Sequence, residues 1–163
     1  MSADLYREDD LLADFGPFLQ THGFTVLALS GNQQGRYWFK MGEYRKGPDI
    51  VAVRGNMILV GEAKVRSRGL FQSTRHGWSD YQSLQFLIDT PSAYQQLSDM
   101  VSDSMEYLGK PFSGTPQIQA VVVGGDSFLS LKSRLTDTRI WHITAGRESE
   151  GVEYSGFFDG HDI

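Results

Sequence analysis

Two short apolar runs with three turn residues between them constrain this chain more than any other feature. Ile50, Val51 and Val53 lead into Arg54-Gly55-Asn56, and Met57, Ile58, Leu59 and Val60 follow at once. Runs this short and this rich in branched aliphatics fit strands, and a Gly-Asn step between them supplies turn chemistry. The predicted strands are Asp49–Val53 and Met57–Val65, folded as an antiparallel hairpin. Near-continuous rather than alternating apolarity implies that the sheet is covered on both faces.

Charge stands at one end of this hairpin. Asp49 opens the first strand, and Glu62 and Lys64 lie late in the second. Strand residues two apart share a face, so Glu62 and Lys64 project together while Ala63 points away. The turn brings the end of the second strand beside the start of the first, so Asp49 and Glu62 converge at about 4.5–5.5 Å, the spacing of opposed ladder positions. Two carboxylates that close repel unless a cation sits between them or one is protonated. Hard oxygen donors favour Mg²⁺, with Mn²⁺ as a substitute, and the Ala63 carbonyl is a candidate third ligand. Lys64 is placed to orient a water or to stabilise charge on a phosphoryl oxygen. A plainer reading makes Asp49 a turn residue after Pro48 and the Glu62–Lys64 pair a surface contact worth about 0–1 kcal/mol. Against it, both charges follow Ile58-Leu59-Val60, where burial without a partner is costly, and the small Gly61 and Ala63 leave room for a ligand.

Around the hairpin, residues 5–22 read as a helix with an interruption at Gly16-Pro17, because Leu11, Leu12, Phe15, Phe18 and Leu19 fall on one stripe. Gly23 caps it. Phe24–Leu29 and Tyr37–Met41 are predicted strands, the second followed by a basic turn. Residues 66–79 read as a loop, and the helical pattern from Asp80 to Leu108 is broken by Pro91. Gln117–Val123 and Arg139–Thr144 are strands, and the segment from Gly146 onward is an acidic, glycine-rich tail with Phe157 and Phe158 as anchors. The whole is one α/β domain over 1–163, with a core of about 5–145, a tail of 146–163 and a mixed sheet flanked by helices.

Net charge is −5, which at first sight opposes a polyanionic partner. The distribution does not: residues 36–75 carry nine bases and three acids, while the segments on either side are acidic. Local potential, not net charge, draws in phosphate. Within and after the basic segment, Arg45, Lys46, Arg66, Arg68, Arg75 and His76, interleaved with Phe71 and Trp78, suit phosphate contact and base stacking. No cysteine is present, which excludes disulfides, thiolate catalysis and cysteine-bound zinc. No secretory signal or apolar run of spanning length is evident, so a cytoplasmic address and no membrane partner are expected.

Pro48-Asp49, a spacer, then Glu62-Ala63-Lys64 resembles the signature of the PD-(D/E)XK nuclease superfamily, the match being specific over 47–65. Gly23-Phe24-Thr25-Val26-Leu27 ahead of Gly47-Pro48-Asp49-Ile50-Val51 looks like its archaeal Holliday junction resolvase and Mrr-like branch. The resemblance implies a restriction-endonuclease-like αβββαβ core and a magnesium-dependent endonuclease acting on DNA. Such families place an acid on the first helix. With Leu11 at 0° and about 100° per residue, Glu8 falls at about 60°, inside the apolar stripe, so it is preferred, with Asp10 in reserve. They also place a glutamine on the next helix, for which Gln82 and Gln85 are candidates. A homodimer is implied in the same way, and a partner protein is another source of specificity. The alternatives are a nuclease acting on RNA and a catalytically silent nuclease fold that serves binding or assembly.

Overall fold

Aliphatic strands without alternation need cover on both sides, and the sheet receives it from two different sets of elements. The computed structural model describes residues 7–29, 36–66, 68–73, 76–125, 133–148 and 151–163. In chain order the elements are α1 (Glu8–Thr21), β1 (Thr25–Leu29), β2 (Phe39–Met41), β3 (Tyr44–Lys46), β4 (Ile50–Arg54) and β5 (Met57–Lys64). There follow α2 (Arg68–Phe71), α3 (Asp80–Asp89), α4 (Pro91–Tyr107), β6 (Gln117–Gly124), β7 (Ile140–Glu148), β8 (Gly151–Phe158) and β9 (His161–Asp162). Seven strands make one mixed sheet in the order β1-β4-β5-β6-β7-β8-β9. Its centre, β5-β6-β7, is parallel and the remaining pairings are antiparallel. The chain is thus α/β, with a mixed central sheet and helices on its faces.

Period-two geometry divides the core. Val51, Val53, Ile58 and Val60 face α3, α4 and the β2–β3 hairpin, meeting Leu84, Leu87, Leu97, Val101 and Phe39. Ile50, Ala52, Leu59 and Ala63 face the other way, onto Leu11, Phe15 and Leu19 of α1 and onto Phe158. Each fully buried large aliphatic or aromatic side chain contributes about 1.5–3 kcal/mol of transfer free energy.

The expected strand at Tyr37–Met41 is shorter and lies outside the main sheet. Phe39–Met41 pairs only with β3, forming a separate two-stranded sheet. Gly42, at φ 64°, permits the tight Gly42-Glu43 turn that reverses the chain. The residues expected to form a basic turn are therefore the strand Tyr44–Lys46. Helix α1 passes through Pro17 without a break. Ala13, whose carbonyl loses its donor to the proline ring, lies with Pro17 on the exposed side. Residues 5 and 6 lie outside the described residues. The expected 66–79 loop contains the short α2, and the strand expected at Arg139–Thr144 continues to Glu148. The acidic tail forms β8 and β9, and Phe158 is wholly buried. Main-chain pairing with β7 supplies order that composition alone did not reveal. The helical stretch divides where expected, with Pro91 at the first position of α4. No helix among the described residues is long and apolar enough to cross a membrane.

Candidate functional site

Asp49 immediately precedes β4, and Ile50 pairs with Gly61, so the next opposed positions are Asp49 and Glu62. There the side chains take over from the backbone ladder. The Asp49 N–H donates to Glu62 Oε2 at 3.2 Å, and the Ala63 N–H donates to Asp49 Oδ2 at 3.0 Å. Each acid is pinned by the other's strand. Both are buried, at 7% and 2% exposure. Since the N–H and carbonyl of one strand residue point to the same side, the Ala63 carbonyl shares this edge. Its methyl group packs in the α1-facing core.

Gly61 was expected to make room for a ligand, and its smallness has a different cause. A Cβ there would lie 2.6 Å from Val121 Cγ1, so glycine is needed for β6 to close against β5. Gly69 of α2 in turn lies against the stem of Lys64, where a Cβ would meet Lys64 Cδ at 3.4 Å.

Asp80 and Lys46, both outside the Asp49–Lys64 hairpin, complete the cluster. Asp80, the first residue of α3, is only 5% exposed and accepts from Lys64 Nζ at 3.1 Å and Lys46 Nζ at 2.8 Å. Lys46 also donates to Glu62 Oε1 at 2.9 Å. Expected at a nucleic-acid surface, Lys46 instead turns inward because β3 alternates: Arg45 is exposed and its neighbours are half-buried. Asp80 carried one signal in the sequence, the Ser79-x-x-Gln82 capping box that fixes the start of α3.

The electrostatics are frustrated. Burial pushes Glu62 well above the usual carboxylate range, Asp49 adds repulsion, and Lys46 only partly opposes them. Burial likewise raises Asp49, against the Ala63 hydrogen bond and the pull of Lys46. Asp80 is also desolvated, but the two lysines outweigh that and hold it below its ordinary value. Burial disfavours the charged form of Lys46, yet Glu62 and Asp80 together keep it firmly protonated. Lys64 is raised in the same way, against its burial, chiefly by Asp80 and then by Glu8. Glu8, at the first turn of α1, is raised by burial and feels Lys64, Asp49 and Asp80, which places its charge beside the site. Asp10 sits half-buried in the same turn.

The other expected contact residues have varied positions. Arg45 is exposed and lays its guanidinium 4.3 Å from the Trp38 ring centroid. Arg66 is exposed. His76 is exposed and stacks on Tyr44 at 3.7 Å between centroids. Gln82 closes the capping box by accepting from the Ser79 N–H, and Gln85 donates to Asp137 Oδ2 at 3.2 Å, away from Glu62. The Arg68 side chain and Arg75 lie outside the described residues. Among the described residues, no three His, Asp or Glu side chains converge as a ready cage for a metal ion. The chain matches no family model and no curated protein.

Proposed function

We propose that the chain is a divalent-metal-dependent nuclease of PD-(D/E)XK type, with the restriction-endonuclease-like core that implies, and that it hydrolyses a DNA backbone. The supporting observation is the opposition of buried Asp49 and Glu62 across β4 and β5, with Lys64 next on the same face. The antiparallel β1-β4-β5 set joined in parallel to β6 agrees with such a core.

The donor chemistry fits a hard cation: adjacent buried carboxylates, both raised above their ordinary range, gain by sharing a positive charge. Asp49, Glu62 and the Ala63 carbonyl would hold Mg²⁺, or Mn²⁺ in its place, with Glu8 approaching from α1. When bound, such an ion supplies Lewis acidity toward a phosphoryl oxygen and the attacking water. The chain's own groups do the rest. Lys64, held by Asp80, presents a fixed ammonium toward charge developing on phosphate. Asp80 sets its position and keeps it protonated. Arg45, Arg66 and the Tyr44–His76 stack offer contacts to backbone and bases at the rim.

A second reading has its own observation. Lys46 and Lys64 already engage Glu62 and Asp80, as in a silent fold that keeps the charges for stability alone. Melting with Mg²⁺ or Mn²⁺, paired with incubation on linear, supercoiled and branched DNA and on RNA, separates the two. The ion should raise the melting temperature, and Glu62→Gln and Asp49→Asn should each abolish that rise and the cleavage. Lys64→Ala should keep the metal-induced rise while lowering turnover by about two to three orders of magnitude. A protein that neither binds these ions nor cuts any substrate is the silent module.

A further inference from the structure

We propose that Lys46 is the site's resident cation, and that a divalent ion enters by displacing its ammonium from Glu62. The proposal rests on the metal reading of Asp49 and Glu62 and concerns which group of the chain keeps their place. Glu62 has no idle oxygen: Oε2 accepts the Asp49 N–H at 3.2 Å and Oε1 accepts Lys46 Nζ at 2.9 Å. The same ammonium lies 2.8 Å from Asp80 Oδ1 and is 14% exposed at the side chain. It therefore stands between two of the acids.

Lys64 does not share this role. Its ammonium meets Asp80 Oδ2 at 3.1 Å, and its side chain is 30% exposed, about twice as open as Lys46. Among the described residues, Lys46 is the lysine that bonds to Glu62, an expected ligand, and its approach is set by β3, a different element from the hairpin that carries the signature. A hard dication draws carboxylate oxygens to about 2.0–2.1 Å, closer than any ammonium contact, so the two cations repel strongly if both remain on Glu62. The flexible lysine stem has a ready alternative, because Asp80 Oδ1 still accepts it after Glu62 is released. Lys46 thus keeps the acids compatible with burial until an ion arrives, at the expense of the ion's affinity.

Mn²⁺ alone, titrated calorimetrically into the full chain without nucleic acid, tests this. Lys46→Met should bind Mn²⁺ about tenfold or more tightly than the unaltered chain and show a larger metal-induced rise in melting temperature. Equal or weaker binding by Lys46→Met, with the unaltered chain binding normally, overturns the proposal and leaves the metal reading standing. Absence of binding by both overturns the two together. A second measurement needs no variant: acetylation of the unaltered chain, read by peptide mass. Mn²⁺ should raise labelling of Lys46 several-fold relative to exposed Lys40. Unchanged or reduced Lys46 labelling sinks the displacement even if Lys46→Met fails to fold.

Discussion

Helix α3 carries an acid at each end, and the two ends treat charge in opposite ways. At its start Asp80 enters the buried cluster with Lys46, Lys64 and Glu62; at its finish, about 15 Å away, Asp89 joins Arg139 and Asp137. In the second group donors are plentiful. Arg139 donates to Asp137 through Nε at 2.9 Å and Nη2 at 2.7 Å, Gln85 adds another hydrogen bond, and Asp137 is drawn down to about 2. Asp137 also fixes the strand entry, since its N–H donates to Tyr81 Oη at 3.0 Å. That group is a clamp. In the first group Glu62 and Asp49 stay above their ordinary range even with ammoniums beside them. Buried acids held against their preference contribute little to stability alone, so the contrast supports the proposed reading, in which the Asp80 end takes a ligand.

The largest expected effect cuts that comparison directly. Asp80→Ala removes a shared acceptor from two partly buried ammoniums and should cost about 3 kcal/mol in urea unfolding. Asp89→Ala acts on a pair whose side chains are 59% and 47% exposed, and should cost under about 1 kcal/mol. Equal losses at the two ends would mean that α3 is clamped alike at both and that the cluster is structural.

Acid should separate the two groups next. Glu62 is raised above its ordinary 4.5, so between that value and its folded-state value the folded chain holds a proton the unfolded chain has lost. Stability therefore falls as pH rises through that window and recovers on acidification. Asp137 has the opposite sign: lowered from 3.8 to about 2, it stabilises above 3.8 and loses that contribution as pH falls toward 2. Without divalent metal, the melting temperature should rise as pH falls through the Glu62 window toward its ordinary 4.5 and then fall below pH 4. Glu62→Gln should flatten the rising limb, and Asp137→Ala should soften the acid fall. A steady decline from neutrality in the unaltered chain would contradict the frustration assigned to Glu62.

Much of this contrast was visible in the residues and part was not, for reasons that differ by position. Asp49 and Glu62 could be brought together from the sequence alone because a short turn at Arg54-Gly55-Asn56 folds the end of one strand beside the start of the other, although Arg54 pairs with Met57 and the turn itself is Gly55-Asn56. Lys46 could not, because three residues between a glycine turn and Gly47-Pro48 look like loop until their pairing with Phe39–Met41 is known. Its side chain then follows alternation inward. For Asp80 the capping box gave the helix start, but whether an N-terminal acid is wet or buried depends on how α3 leans on β5 and β6, which is tertiary. The β8 and β9 strands escaped for a third reason: glycine and acid composition argues against strands in isolation, whereas β7 offers an edge that pairs β8, and β8 in turn pairs β9.

The smallest expected effect concerns the rim that neither group includes. Arg45 and Arg66 are exposed and lie on the polypeptide just before and just after the Asp49–Lys64 hairpin. If a nucleic-acid backbone approaches Lys64, these two meet it first, and each phosphate neutralised releases about 0.9 counterion. Arg45→Gln with Arg66→Gln should therefore lower the salt slope of binding by about 2, read by fluorescence anisotropy on a labelled branched duplex in chelator so that nothing is cut. Stability should move by less than about 0.5 kcal/mol, since exposed substitutions away from buried networks rarely do more, although Arg45 gives up its contact with Trp38. Binding that weakens without a change of slope would assign Arg45 to base stacking through Trp38 rather than to phosphate. An unchanged affinity and slope would move the nucleic-acid path off this rim, away from the strand edge where Asp49 and Glu62 meet.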